Sequence, residues 1–436
     1  MTEANEHETD AIEHDDDQVS EMSEGAETTT VRDVGHVYVL SNQTSGNSVT
    51  VFSRAIDGAL TRRGTFPTGG LGAGDSSGVS TALNPLNSQG ALVMTDDRRF
   101  LLAVDAGSNE ISVLAIDGDR LEVTDRVSSE GTYPVSVANH RNLVYVVNQG
   151  QTGHLPPDPS GPPATVSGFT LSAAGRLTPI PESTQVLSGG PASAPGEITF
   201  RPDGSHLVVT ERLANIIDVF PVDDDGLIGK PVENPSNGVG PFSVTFHTND
   251  ILLVTEVTNF VSTYRIRRDG SLRVITASLP LTELAPCWSL NSVIDPQVAY
   301  VANSCSGSIS AVRFDRQGEV TLVPDGAAGG IDGHIAVMRD SKAPLDMALT
   351  RDGRYLYVLT AGYSDNLTDP RLPTFVDGAP YGEKMSISGF RVEVRAGLTP
   401  IGGYGVADDV PQVIEQIFIT GYTPGLQAGH QGIVAT

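Results

Sequence analysis

Seven times along the chain a run of aliphatic and aromatic residues closes on a small polar or acidic residue, and a second apolar run comes after a short gap. The first set reads HVYVLSN, FLLAVDAG, LVYVVNQG, HLVVTER, ILLVTEV, VAYVANS and YLYVLTAG. The second reads SVTVF, EISVL, TVSGF, IIDVF, FVSTY, SISAV and SISGF. Each second run leads into a turn glycine (Gly58, Gly118, Gly175, Gly226, Gly270, Gly318, Gly397) with Leu or Val shortly after it. A strand, strand, turn, strand unit in seven copies predicts an all-β fold, a seven-bladed β-propeller. One such blade cannot bury both of its faces and must stack on neighbours in a ring.

Six units carry a further strand ahead of these, announced by Pro or a small residue: QGALVM (89–94), PVSVA (134–138), PGEITF (195–200), PFSVTF (241–246), PCWSL (286–290) and PLDMAL (344–349). Asp203-Gly204 and Asp352-Gly353 supply the positive φ of the tight turn after it. The first unit lacks this strand and begins directly at Gly35-His36. The same phrase stands at the other end of the chain, in GHQGIVAT (429–436), which predicts that the C-terminal strand pairs with residues 37–41 and clasps the ring. Gly/Pro/Ser-rich stretches at 67–90, 149–163, 325–343 and 362–385 interrupt the period. Connections between blades, and between second and third strands, emerge on one face, so that face is the expected binding side.

Charge divides the chain. Of the formal −26, residues 1–33 hold twelve acids against Arg32 alone, and they read as a disordered acidic tail ahead of a propeller at 34–436. Lysine is scarce (Lys230, Lys342, Lys384), a balance that resembles proteins of salt-loving organisms. So negative a surface repels phosphate backbones and anionic lipid, which argues against nucleic acid and membranes as partners. No basic start, apolar leader or run of eighteen apolar residues is visible, so the expectation is a soluble, cytoplasmic monomer. Cys287 and Cys305, eighteen apart, read as free thiols.

If both kinds of connection share a face, the residues ending the second strands (Asn42, Asp105, Asn148, Glu211, Glu256, Asn303, Thr360) ring one mouth. Those opening the first strands (Glu197, Ser243, Trp288, Asp346, and His430 near the clasp) join them. Glu197, Glu211 and Glu256 crowded together would raise one another's pKa and offer a general base toward water. The same hard oxygens would suit Ca2+; no other cofactor is required. The structural alternative is that these side chains cap strand ends and line a water-filled channel. Trp288, the single tryptophan, either stacks on a flat, sugar-like ligand or packs between blades. Arg212 either holds an anion at the mouth or bridges to Glu197 or Glu256. No His/Cys cluster of zinc spacing and no Gly-x-Ser-x-Gly elbow exists.

Through APGEITFRPDGSHLVVTER, GPFSVTF, APCW and VAYVANSCSGSIS the chain resembles the seven-bladed lactonase propellers, which include 6-phosphogluconolactonases and 3-carboxymuconate cyclase-like proteins. The resemblance implies a lactone hydrolase or a cycloisomerase-like enzyme acting on a small molecule. Those lactonases present His after Ser-Pro in one blade and Gly-Pro-Arg-His in the next. Here the places read Ala194-Pro195-Gly196-Glu197 and Gly240-Pro241-Phe242-Ser243, and only the glutamate of the next strand's Asn-Glu phrase is matched, by Glu256. Without those cations, which would hold an anionic substrate and its oxyanion, a neutral lactone is the expected substrate. The expected machinery is Glu197 or Glu211 as base, Glu256 as partner, and Arg212 or backbone amides at the oxyanion. The other class is a non-catalytic scaffold that binds a small ligand or a protein segment at its mouth.

Overall fold

A computed structural model of the chain describes residues 33–73, 86–151, 158–323, 336–337, 342–362, 386–401, 417–418 and 431–436. The acidic stretch 1–32 and much of the four insertions lie outside these described residues.

Seven antiparallel sheets succeed one another along the chain. In the fourth, Pro195–Phe200, His206–Glu211, Ile216–Pro221 and Val232–Pro235 pair in that order; the fifth repeats it with Pro241–Phe246, Ile251–Glu256, Phe260–Ile266 and Leu272–Pro280. Second strands such as Phe100–Asp105 and Val298–Asn303 are buried at every position. They are unbroken apolar runs because a middle strand meets a neighbouring blade on both faces. Fourth strands such as Arg120–Ser128 are polar and largely exposed, as an outer edge requires.

The first sheet contains Asp33–Leu40, Ser48–Ala55 and Leu60–Pro67 and takes Ile433–Ala435 as its inner strand. Val37 pairs with Ala435, Tyr38 with Val434 and Val39 with Ile433, so the clasp expected from GHQGIVAT closes the ring. The Leu40 N–H donates to Gly432 O at 3.0 Å and the Thr436 N–H to His36 O at 2.8 Å.

Neighbouring blades are stitched at their outer turns. Tyr145 and Tyr357 hydroxyls donate to Gly226 O and Gly58 O at 2.7 Å, and Thr263 and Thr124 hydroxyls to Gly318 O and Gly175 O at 2.8 and 2.9 Å. Six of the seven turn glycines have φ between 55° and 91°, which an L side chain resists. Gly397 is the exception at φ −61°; there Arg395 and Ala396 take the left-handed conformation, at 63° and 71°.

Candidate functional site

Five inner strands carry a proline with a bulge just behind it, at Pro134/Ser136, Pro195/Glu197, Pro241/Val244, Pro286/Ser289 and Pro344/Asp346; it is the first residue in four of them and the third in Lys342–Leu349. Proline has no N–H for the ladder, and the extra residue of the bulge turns the next side chains in a new direction. In the fourth and seventh blades the redirected residues are Glu197 and Asp346. Both line a cavity of about 500 Å³ on the propeller axis, together with Gln89, Ser289, Asn139 and His140. Asp96, Arg201 and Pro202 also line it. They lie beyond the inner-strand ends, so the cavity reaches the face of the first-to-second-strand turns, opposite to the face expected to bind.

Residues 86–90 stopper the other end. The Trp288 indole N–H donates to Ser88 O at 3.1 Å, the Gln431 amide donates to the same oxygen at 2.8 Å, and the Leu86 N–H donates to Gln431 Oε1 at 3.0 Å. From the stopper Gln89 reaches across the axis: its Nε2 donates to Ser289 O at 3.1 Å and Glu197 Oε1 at 3.3 Å, and its Oε1 accepts the Ser289 N–H at 3.0 Å. Gln89 and Gln431 stand before glycine where the other blades have proline. The repeated Gln-Gly, in SQGALV and HQGIVA, is the signal by which both could have been found.

The two acids are buried and proton-retentive. Burial pushes Glu197 up to about 8, reinforced by the charge of Asp346 and opposed by the Val244 N–H at 2.6 Å and by Gln89. Burial likewise raises Asp346 to about 7, against backbone N–H groups of Met347, Ile433 and Gly432. Arg201, the one arginine among the described residues of the cavity wall, is engaged elsewhere: its Nε donates to Asn249 O at 2.7 Å, and it lies 3.7 Å from Asp203.

The expected mouth of convergent carboxylates does not form. Glu211 and Glu256 are fully buried and absent from the cavity wall, and each secures the connection arriving from the preceding blade. Glu211 Oε2 accepts the Gly189 N–H at 2.9 Å, and the carboxyl, raised to about 8 by burial and by neighbouring Asp218, is no free base. Glu256 accepts the Gly238 N–H at 2.9 Å and the Ser278 hydroxyl at 3.0 Å. Asp105 plays the same part toward Thr68 (2.7 Å), with Asn47 and Ser112, and the Asn148 amide donates to Ser129 O. Asn303 bonds Ser308 and Ser310, the Asn42 amide oxygen accepts the Ala73 N–H, and Thr360 is fully buried. Asp105, Asn148, Glu211 and Glu256 thus tie their blades to the connection arriving from the preceding one, whereas Asn303 bonds within its own blade. Calcium capture by converging glutamates loses its geometric ground with them: among the described residues no group of three or more His, Cys, Asp or Glu gathers.

The seven-blade lactonase family, described as "Lactonase, 7-bladed beta-propeller", matches residues 31–153 and 163–287, more than half of the chain. The chain belongs to this lactonase family. It is similar to the 6-phosphogluconolactonase of Yersinia pestis, 26% identical over 43% of this chain and 53% of the relative, so the match spans about half the length of that protein. Among solved structures it resembles the periplasmic gluconolactonase of Pseudomonas aeruginosa (TM-score 0.59, 16% identity, 88% of this chain and 97% of that one). It also resembles a protein of Lactobacillus plantarum (TM-score 0.56, 16% identity, 88% and 98%). At such identities the structural likeness establishes the shared fold.

Within this lactonase-family propeller the remaining candidates divide. Ser243 sits behind the cavity wall, its hydroxyl 2.7 Å from that of Ser289. Trp288 is a packing residue: it is buried, lies edge-on to Phe242 with centroids 4.9 Å apart, and holds the stopper. Arg212 forms no ion pair with Glu197 or Glu256; its Nε donates to Ala194 O at 3.2 Å and its guanidinium lies 5.7 Å from the Phe242 ring centroid. Phe242 occupies the place where the family resemblance expects arginine. Cys287 and Cys305 are both free, and burial raises both thiols, Cys287 to about 12. His430 lies outside the described residues.

Proposed function

We propose that this lactonase-family propeller hydrolyses an uncharged lactone in its axial cavity, with Asp346 and Glu197 as the paired acid and base. The observation that carries the reading is that carboxyls from blades four and seven line one cavity, and the single arginine described in its wall is turned to its own surface turn. Asp346, the more acidic, is the group that takes a proton from water as the water oxygen bonds to the lactone carbonyl carbon. Glu197, the more proton-retentive, delivers its proton to the ring oxygen as the carbon–oxygen bond breaks. The product is a hydroxy acid, and solvent exchange resets both carboxyls. The relatives named for 6-phosphogluconolactone and gluconolactone support a sugar-lactone substrate; the cation-poor wall favours the unphosphorylated one.

δ-Gluconolactone and 6-phosphogluconolactone hydrolysis, measured by pH-stat, test this. Asp346→Asn and Glu197→Gln should each lower the rate on the neutral lactone by about 100-fold, the usual range for positioned acid–base groups. Activity of the folded double variant within threefold of the parent removes the proposal. One observation favours the non-catalytic alternative, namely the stopper at 86–90 closing one end of the channel. That reading expects ligand binding without turnover.

A further inference from the structure

Gln89 joins three parts of the molecule. It belongs to the stopper at 86–90, and its backbone N–H donates to Gly196 O at 2.9 Å, one residue ahead of Glu197. Its side-chain amide pairs with both backbone groups of Ser289, 200 residues away: Nε2 donates to Ser289 O at 3.1 Å, and Oε1 accepts the Ser289 N–H at 3.0 Å. That two-point pairing admits one orientation, since exchanging the amide oxygen and nitrogen sets donor against donor and acceptor against acceptor. With one Nε2 hydrogen spent on Ser289, the other reaches Glu197 Oε1 at 3.3 Å.

Glu197 is thereby held at both oxygens by donors from different elements. Its Oε2 accepts the Val244 N–H of the fifth blade at 2.6 Å, and its Oε1 takes the longer bond from Gln89. In a protonated carboxyl the carbonyl oxygen is the good acceptor and the hydroxyl oxygen the poor one. The short bond at Oε2 and the long bond at Oε1 therefore put the proton on Oε1. Burial keeps that proton in place up to about pH 8, and the Gln89 bond opposes burial, because it is strongest when Oε1 is an anion.

We propose that Gln89 is the positioning residue of the axial acid pair: it fixes the transferable proton on Oε1 of Glu197 and steadies the anion left when that proton has gone to the lactone ring oxygen. The inference rests on the hydrolytic reading given above and deepens it. As the Oε1–H bond breaks and the proton joins the departing ring oxygen, the electron pair left on Oε1 meets an Nε2–H already aligned with it. Gln89 acts through Glu197, because both of its amide hydrogens are committed, one to Ser289 and one to Glu197. Gln431, the second glutamine of the stopper, supplies the contrast: its amide bonds Ser88 O and the Leu86 N–H, and neither partner is a carboxyl.

The test is the pH–rate profile of neutral-lactone hydrolysis by the parent, Gln89→Met and Gln431→Met. In the parent the rate should fall on the alkaline side as Glu197 loses its proton at about pH 8. Methionine keeps the length of the side chain and removes its donors, so Glu197 becomes a weaker acid and holds its proton to higher pH. Gln89→Met should lower kcat about tenfold with KM within about twofold, and should move the alkaline limb up by about 0.5–1 pH unit. Gln431→Met loosens the same stopper and should leave the limb in place. A limb unmoved in Gln89→Met, or moved as far in Gln431→Met, overturns the proposal. A second measurement needs neither turnover nor a variant of Gln89, and so decides the matter if Gln89→Met folds poorly. In the parent with isotope-labelled glutamine, the Gln89 side-chain amide signals should titrate with an inflection at about pH 8 that is absent from Glu197→Gln. A flat titration, or one unchanged in Glu197→Gln, refutes the positioning role. Loss of the hydrolytic reading alone is told apart by the same data: neither lactone is consumed, yet the inflection shared by Gln89 and Glu197 remains.

Discussion

Burying two carboxyls on the propeller axis fixes how stability must vary with pH. Glu197 is raised from 4.5 to about 8 and Asp346 from 3.8 to about 7. In each case the folded state keeps a proton that the unfolded chain has already released, so unfolding free energy falls as pH rises between the two values. The stabilising difference is complete below about pH 4 and is lost as pH climbs through 7 and 8. At about 1.4 kcal/mol per unit, Glu197 taken alone is worth about 5 kcal/mol across this window. The two shifts do not add, because part of the Glu197 shift is the charge of Asp346 itself. Water reaching the cavity lowers the figure again, and a net fall of about 3 kcal/mol between pH 5 and pH 8.5 is expected. Urea unfolding at closely spaced pH values measures it on the parent, Glu197→Gln, Asp346→Asn and the double variant. The amides cannot ionise, so each single variant should flatten the curve, the double variant should flatten it most, and Glu197→Gln should be the more stable protein at pH 8.5. Curves for parent and double variant that stay parallel within about 0.5 kcal/mol across the window would show that these carboxyls ionise freely in the folded protein, and would remove the acid–base assignment with them.

Deleting residues 431–436 removes the inner strand of the first sheet, the buried Ile433 and the Gln431 bonds to Ser88 and Leu86. Calorimetry should show a loss of about 5 kcal/mol or more, or no cooperative transition, whereas deleting residues 1–30 should change stability by less than about 1 kcal/mol. Glu256→Ala leaves the half-buried Gly238 N–H without its acceptor and should cost about 2 kcal/mol by urea titration, while Glu256→Gln, which keeps an accepting oxygen, should cost about half of that or less. Trp288→Phe deletes the indole bond to Ser88 O and should cost about 1–2 kcal/mol; because Trp288 is the only tryptophan, the parent's emission should be blue-shifted, and its red shift on unfolding reports the stopper directly.

Much of the architecture is written locally. The alternation of apolar runs with turn glycines gave the seven blades, since strand length, hydrophobic continuity and positive φ are properties of neighbouring residues. The displaced phrase GHQGIVAT gave the ring closure for the same reason: a strand that can bury its side chains only as the innermost member of a blade carries that blade's pattern wherever it lies in the chain. The positions of Glu197 and Asp346 near the axis were legible as well, each just behind the proline near the start of an inner strand.

The linear order could not reveal the direction of side chains or the sharing of space between distant segments. Glu211 and Glu256 end their strands at the expected places, yet a strand-end carboxyl can turn toward the axis or into the crevice between blades. A glycine N–H from the preceding connection, with no side chain to bar the approach, draws each into the crevice. The stopper is likewise a tertiary fact: Ser88 meets Trp288 and Gln431 across hundreds of residues, and their meeting closes one end of the channel and leaves the cavity to open at the other. Periodicity therefore fixed the ring, because stacking energy depends only on which residues are apolar. The chemistry along its axis had to wait for the folded chain, because desolvation and pairing depend on which polar atoms come to lie side by side.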